Sequence, residues 1–370
     1  MAIRIRKEDA IFSHTHETRW GVHRADFMAQ GHSFFPEQMP PARALHLLLA
    51  GMGTARALQV AAQLRVADQL KDGPKNISQL AADTGTHASS LHRLLRALTS
   101  LGVFAEVQDG TFAHTPLSQL LQTDVPGSLH SIAMLQGEPS QWSAWGDLAY
   151  SVQTGLPAFD HVHGEDVWTY LASHPEAARI FNEAMVGFTE MAVPAILAYD
   201  FTPISTLVDV GGGYGALLIK ILTAYPQMRG SLIDHPAVIE EAQRRITAAG
   251  LAPRCELVSG SFFVAMPKGA DAYLLKQILH TWDDQHCIEI LQQCRQAMSP
   301  DGKVLVLEQV RLPGQAVPTA LLQDLQMLAV FSGHERTEQE FRTLFATASL
   351  RLTQVITSPT PYSIIEAVAV

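Results

Sequence analysis

Beyond residue 205 the chain alternates between short apolar runs and segments of helical spacing. The runs read as strands: "TLVDV" at 206–210, "GSLID" at 230–234, "CELVS" at 255–259, "DAYLLK" at 271–276 and "KVLVLEQ" at 303–309. Between them, apolar residues recur at helical spacing over 214–225, 236–248 and 284–298. Apolar strands separated by helices predict a parallel sheet covered on both faces. The end of the chain breaks the pattern. "LRLTQVITSPTPYSIIEAVAV" holds two β-rich runs joined by a Ser/Pro turn, which predicts a terminal hairpin and an antiparallel edge.

The first half reads as helical. Apolar positions recur at helical spacing over 42–70, with Gly51 and Gly53 predicting a break. In "NISQLAADTGTHASSLHRLLRALTSLGVFAEVQDGTFAHT", Ser78 is the expected cap of a short helix ending at Gly85. A second helix over 88–101 carries Leu91, Leu94, Leu95 and Leu98 on one face. Runs at 103–107 and 111–114 flank "QDG", a hairpin signal. Helix, turn, helix, hairpin is a winged-helix order. Residues 125–200 read as helices rich in Met and aromatics, among them Met134, Trp142, Trp145, Trp168, Phe181 and Met185. Such side chains commonly form core. Directly before the α/β segment they also suit an apolar substrate pocket.

Composition narrows the function. The chain has 370 residues, 47% hydrophobic and 17% charged, which is ample for more than one packed domain. Its net charge of −10 argues against nucleic acid as partner, and Arg93 and Arg96 are the certain cations of the second helix. Three cysteines, Cys255, Cys287 and Cys294, form no CxxC pair and suit a reducing compartment. The N-terminus lacks an apolar leader, and no run reaches the roughly 18 apolar residues a membrane helix needs. A cytoplasmic protein is expected. The first 40 residues form an arm with His14, His16, His23 and His32. No Cys partner or helical His spacing accompanies them, so no metal site is expected.

The chemistry concentrates in two stretches. "LVDVGGGYGA" joins the first strand to its helix, and Gly211, Gly213 and Ala216 match G-x-G-x-x-G/A. Such a loop lets backbone approach a ligand at a helix N-terminus. Asp234 ends the next strand, where a carboxylate accepts both hydroxyls of a ribose. These features fit a dinucleotide or an adenosyl ligand. Asp209 ahead of the loop, the absence of a second nucleotide-binding half and the terminal hairpin tilt the reading toward the adenosyl ligand. The second stretch is "LLKQILHTWDDQHC" at 274–287. It offers either a metal cluster or a single base, His280, ahead of a helix capped by Asp283.

Taken together, these motifs resemble the S-adenosylmethionine-dependent small-molecule O-methyltransferases related to plant caffeate and isoflavone enzymes and to bacterial polyketide and phenazine tailoring enzymes. The matching stretches, in order, are "LVDVGGGYG", "LIDHPAVI", "SGSFF", "LLKQILHTWDDQHC", "GKVLVLEQV" and "GHERTEQEF". Coverage runs from about residue 42 to residue 370. The resemblance implies a Rossmann-like class I methyltransferase sheet with a terminal antiparallel hairpin, preceded by a mainly α winged-helix dimerisation domain. It implies a homodimer and S-adenosylmethionine as cofactor. Gly211, Gly213, Asp234, Ser261, Phe262 and Lys276 fall on its cofactor positions. His280 falls on the general base, with Glu308 and Glu335 on the acids that flank and orient it. Two departures stand out: Ser261 replaces an acid that holds adenine, and Thr281 replaces an acid beside the base.

The expected organisation is an arm (1–40), a winged-helix dimerisation domain (41–125), linker and pocket helices (126–198) and a cofactor-binding domain (199–370). The expected reaction is methyl transfer to a phenolic or polyketide-like hydroxyl. Met134, Trp142, Phe181, Met185, Met327 and Phe331 are the expected pocket walls. The competing readings are the same scaffold turned to hydroxylation, decarboxylation or cyclisation, and a winged-helix ligand-sensing regulator.

Overall fold

A computed structural model describes residues 39–311 and 318–370. The His-rich arm lies outside the described residues. Residues 45–370 form one compact unit.

Near the start of that unit, two helices and a hairpin surround a small core. The helix Ile77–Thr84 is capped by Asn76, not by Ser78. The Asn76 side chain accepts from the Gln79 N–H at 2.9 Å, and the Gln79 side chain accepts from the Asn76 N–H at 3.0 Å. This reciprocal box satisfies two otherwise unpaired donors, which a cap at Ser78 would leave open. Gly85 ends the helix in the left-handed region, at φ 64°. The helix Ala88–Ser100 buries Leu91, Leu95 and Leu98 against Phe104 and Phe112, with Leu94 at the edge. Strands β1 (Lys75–Asn76), β2 (Phe104–Gln108) and β3 (Thr111–His114) pair in the order β1-β3-β2. The break expected at Gly51 and Gly53 falls one residue earlier, at Ala50, and both glycines lie in the next helix, Gly51–Gln63.

The larger sheet comprises β4 (Thr206–Val210), β5 (Arg229–Asp234), β6 (Cys255–Ser259), β7 (Ala272–Lys276), β8 (Lys303–Gln309), β9 (Leu350–Thr357) and β10 (Tyr362–Ala369). Its order is β6-β5-β4-β7-β8-β10-β9. The first five strands are parallel, and the terminal hairpin adds β10 and β9 antiparallel. Alternate residues feed two cores. Val208, Val210, Leu275, Val306 and Ile365 pack with Cys287, Ile290, Cys294, Phe341 and Phe345 on one side. Leu207, Leu232, Leu274, Leu305 and Ile364 pack with Leu217, Leu218, Ile221 and Leu222 on the other. Burial on both faces is why the central strands read as continuous apolar runs.

Strand order reverses at β4, which has β5 on one side and β7 on the other. A crevice opens beyond the carboxyl ends of strands at such a switch point. Helices Pro139–Gly146, Val167–Ser173 and Pro175–Leu197 from the middle of the chain contribute to its outer wall, with Pro318–Val330. Among the described residues, no helix is long and apolar enough to cross a membrane.

Candidate functional site

The crevice is a cavity of about 380 Å³, lined by the glycine loop, by residues that end or follow β5, β6 and β7, and by the outer helices. Gly211 and Gly213 hold positive φ, at 65° and 56°. A side chain at Gly211 would place its Cβ 2.6 Å from Ile278 and 3.4 Å from Phe262, so both backbone angle and close approach require glycine there. Asp234 ends β5 and closes the loop. One of its oxygens accepts from the Gly213 N–H at 2.8 Å, the other from the His235 N–H at 2.6 Å. Burial raises its pKa, and these two donors work against that rise. Behind the loop, burial pushes Asp209 up to about 7 and Lys276 down to about 8. Each charge opposes the other's shift through its field. Ser261 and Phe262 line the same end of the cavity.

β7 leads into the short 3-10 turn Leu279–Thr281. His280 sits there, 4% exposed. Its Nδ1 lies 2.8 Å from Glu335 Oε1. An ionised carboxylate only accepts, so Nδ1 carries a hydrogen and, in the neutral ring, Nε2 keeps its lone pair. Burial alone would lower the imidazole pKa, but Glu335 and Glu308 outweigh it and the net shift is upward. Glu308 is the second acid expected to flank and orient the base. It instead accepts the backbone N–H of His280 at 3.1 Å, fixing the turn, and reaches the ring only through its field. Each acid keeps one buried oxygen without a hydrogen-bond partner among the described residues.

Arg336 escaped the sequence reading although it follows Glu335 in "HERT". It is fully buried. Its guanidinium donates to Leu279 O at 2.7 Å, to Trp282 O at 2.9 Å and to Asp284 Oδ1 at 2.8 Å. It therefore clasps both ends of the turn that carries His280. Gly333 packs so closely on this turn that a Cβ there would collide with His280 O and the Trp282 nitrogen. A cation directly after Glu335, in a stretch that also carries the orienting acid, was the available signal. Thr281 closes the turn with a 2.8 Å bond from its hydroxyl to Ile278 O. Asp283 caps the following helix by accepting from the His286 N–H at 2.9 Å. Among the described residues, no group of three or more His, Cys, Asp or Glu is placed to hold a metal ion. All three cysteines are free thiols.

The outer wall is apolar and aromatic. Phe181, Met185, Met327 and Phe331 line the cavity as expected. Trp168 stacks on Trp282 at 5.7 Å and meets Phe331 at 5.5 Å. Met134 and Trp142 are not among the lining residues. In helix Pro139–Gly146 the lining residues are Gln141 and Trp145, four apart on one face; Trp142 lies one step round. It receives Arg56, 5.6 Å above its ring, and Arg56 donates to Gly137 O at 2.8 Å. Leu135 takes the place expected of Met134.

The O-methyltransferase domain family matches residues 145–351, and the O-methyltransferase dimerisation domain matches residues 47–124. The chain is 43% identical over 330 residues to a phenazine O-methyltransferase of Lysobacter antibioticus, covering 89% of this chain and 96% of that one. It is 40% identical over 308 residues to a mitomycin biosynthesis 6-O-methyltransferase of Streptomyces lavendulae, covering 82% and 88%. Among solved structures, an O-methyltransferase from neocarzinostatin biosynthesis, in complex with S-adenosylmethionine and a naphthoic acid, superposes with a TM-score of 0.76 at 34% identity, covering 87% and 98%. The seven-stranded sheet, the glycine loop with its acid, the buried histidine and these matches together place the chain in the S-adenosylmethionine-dependent O-methyltransferase family.

Proposed function

We propose that the protein transfers a methyl group from S-adenosylmethionine to a phenolic hydroxyl of a small multi-ring aromatic or polyketide-like molecule, with His280 as general base. The observation that carries the roles is the buried His280–Glu335 pair, 2.8 Å apart, on a cavity shared with the glycine loop and Asp234. The residues present fit the cofactor. Gly211 and Gly213 leave room for its methionine portion, Asp234 has lone pairs for ribose hydroxyls, and Ser261 and Phe262 would meet the adenine. Lys276, with Asp209 acting on it through its field, sets the charge at the base of this end. Bound S-adenosylmethionine supplies an electrophilic methyl carbon on a sulfonium.

The chain's own residues do the rest. A phenol has a pKa of about 10 and is almost wholly protonated at pH 7. His280 Nε2 takes that proton as the oxygen becomes nucleophilic, a contribution of typically ~10²–10⁴-fold. Glu335 fixes the tautomer and stabilises the resulting imidazolium. Glu308 and Arg336 hold the turn. Trp168, Trp282 and Phe331 hold a flat ring and exclude water.

Phenazine and mitomycin enzymes among the relatives, and the naphthoic acid in the neocarzinostatin enzyme, support a flat aromatic acceptor. The paired base favours methyl transfer over the repurposed chemistries, and the family match over most of the chain disfavours a regulator. The dimerisation domain supports a homodimer. Free thiols support a cytoplasmic location. The test is release of S-adenosylhomocysteine against a panel of hydroxylated naphthalenes, anthraquinones and phenazines, with products read by mass. Methylated phenol is expected from at least one class. No product from any, with no binding of S-adenosylmethionine by calorimetry, overturns the reading.

A further inference from the structure

One polar feature interrupts the apolar wall. Trp145, Gln326 and Gln141 all line the cavity and form a hydrogen-bonded chain. The Trp145 indole N–H donates to Gln326 Oε1. Gln326 Nε2 donates to Gln141 Oε1 at 2.7 Å. Indole nitrogen only donates. It therefore forces Gln326 to turn its oxygen toward Trp145 and its NH₂ toward Gln141. Gln141 must then offer its own oxygen to Gln326. The orientation of both amides, ordinarily ambiguous, follows from one donor. What remains at the end of the chain is the NH₂ of Gln141, on a residue 5% exposed, with no acceptor among the described residues.

The charge pattern adds a second constraint. Among the described cavity-lining residues, Lys276 is the one Lys or Arg, and Asp209 opposes it beside the glycine loop. Among the described residues that line the cavity around Gln141 there is no Lys or Arg; Arg56 lies outside the lining, over the Trp142 ring and bonded to Gly137 O. A carboxylate there would lose its water without gaining a counter-charge.

Resting on the methyl-transfer reading, we propose that Gln141, held by Gln326 and Trp145, selects acceptors bearing a neutral hydrogen-bond acceptor, such as a ring carbonyl or ring nitrogen, remote from the methylated hydroxyl. Carboxylated aromatics are disfavoured at the same place. Gln141 is the specificity residue; Gln326 and Trp145 position it.

Three probes on one ring test this: a hydroxynaphthalene bearing a methyl ketone, the bare naphthol, and the hydroxynaphthoate. Their affinities for the protein with S-adenosylhomocysteine are read by calorimetry. The ketone is expected to bind roughly five- to tenfold more tightly than the naphthol. The carboxylate is expected to bind at least about tenfold more weakly than the naphthol. Gln141→Leu should bring the ketone-to-naphthol ratio to about one. Trp145→Phe, which frees Gln326 to turn over, should lower the ratio part of the way. Affinity for S-adenosylmethionine reports that each variant is folded, and Gln141→Glu, which replaces donors by acceptors, provides a second reading with the same loss of ketone preference. A ketone preference that survives both Gln141 variants, a carboxylate that binds best, or no binding of any probe overturns the proposal. Binding in the expected order with no methylation of any probe would leave the recognition standing and remove the methyl-transfer reading instead.

Discussion

The cavity has two walls of different origin. One is built from strand ends: the loop after β4, Asp234 at the end of β5, Lys276 at the end of β7 and the His280 turn just beyond it. The other is built from helix faces: Gln141 and Trp145, Trp168, Phe181 and Met185, then Gln326, Met327 and Phe331. On the first wall, functional side chains are tied to backbone groups, as Asp234 is to Gly213 and Glu308 is to His280. On the second, side chains hold one another through ring packing and one amide chain. Backbone ties fix a reacting group to fractions of an ångström, which chemistry needs. Side-chain packing sets a shape that alters with each substitution, which suits a wall that chooses among acceptors.

The comparison can be broken most directly at His280. His280→Ala should lower kcat by ~10²–10⁴-fold while affinity for S-adenosylmethionine barely changes. A variant with near-normal turnover would move the base to another residue. Next in size is Asp234→Ala, which removes an acceptor of charged hydrogen bonds. It should weaken S-adenosylmethionine binding by roughly 10–100-fold in calorimetry. Unchanged affinity would mean that the strand-end wall does not hold the cofactor.

Glu335→Gln sharpens the comparison through pH. The base must be neutral to accept a proton, so kcat/KM rises as pH passes the His280 pKa, which its acids lift above the ordinary 6.5. Removing the Glu335 charge lowers that pKa, so the acid limb of the profile should move to lower pH. A limb that stays in place would exclude the pair. The smallest effect is expected at Trp142, off the wall. Trp142→Phe should change acceptor KM by no more than about twofold, in contrast with a change at Trp145, its neighbour on the inward face.

The strand-end wall was legible because its residues lie in contiguous motifs. Gly211 and Gly213 answer a local need for positive φ, and Asp234 lies at a strand end marked by its apolar run. Asp283 as cap of the helix Asp284–Ala297 follows from local donors alone. Where local signals competed, the better-paired one won: Asn76 displaced Ser78 because it forms a two-way box with Gln79. The helical wall was half legible. Phe181, Met185, Met327 and Phe331 face the cavity, whereas Trp142 and Met134 turn elsewhere. Aromatic content marks a segment as core or pocket without stating which 100° step points inward.

From sequence alone, then, came the succession of strands and helices, the terminal hairpin and the glycine loop, since each rests on neighbours within a few residues; the choice of His280 rested on the resemblance of its stretch to a known family. Only the tertiary structure decided that Glu308 holds the backbone of His280 while Glu335 holds its ring. Only it brought Arg336 onto the turn and joined Trp145 to Gln326, partners 181 positions apart. The physical reason is range. Backbone conformation and capping are settled by adjacent residues, whereas a buried hydrogen-bond partner is chosen by whichever distant polar group packing delivers to it.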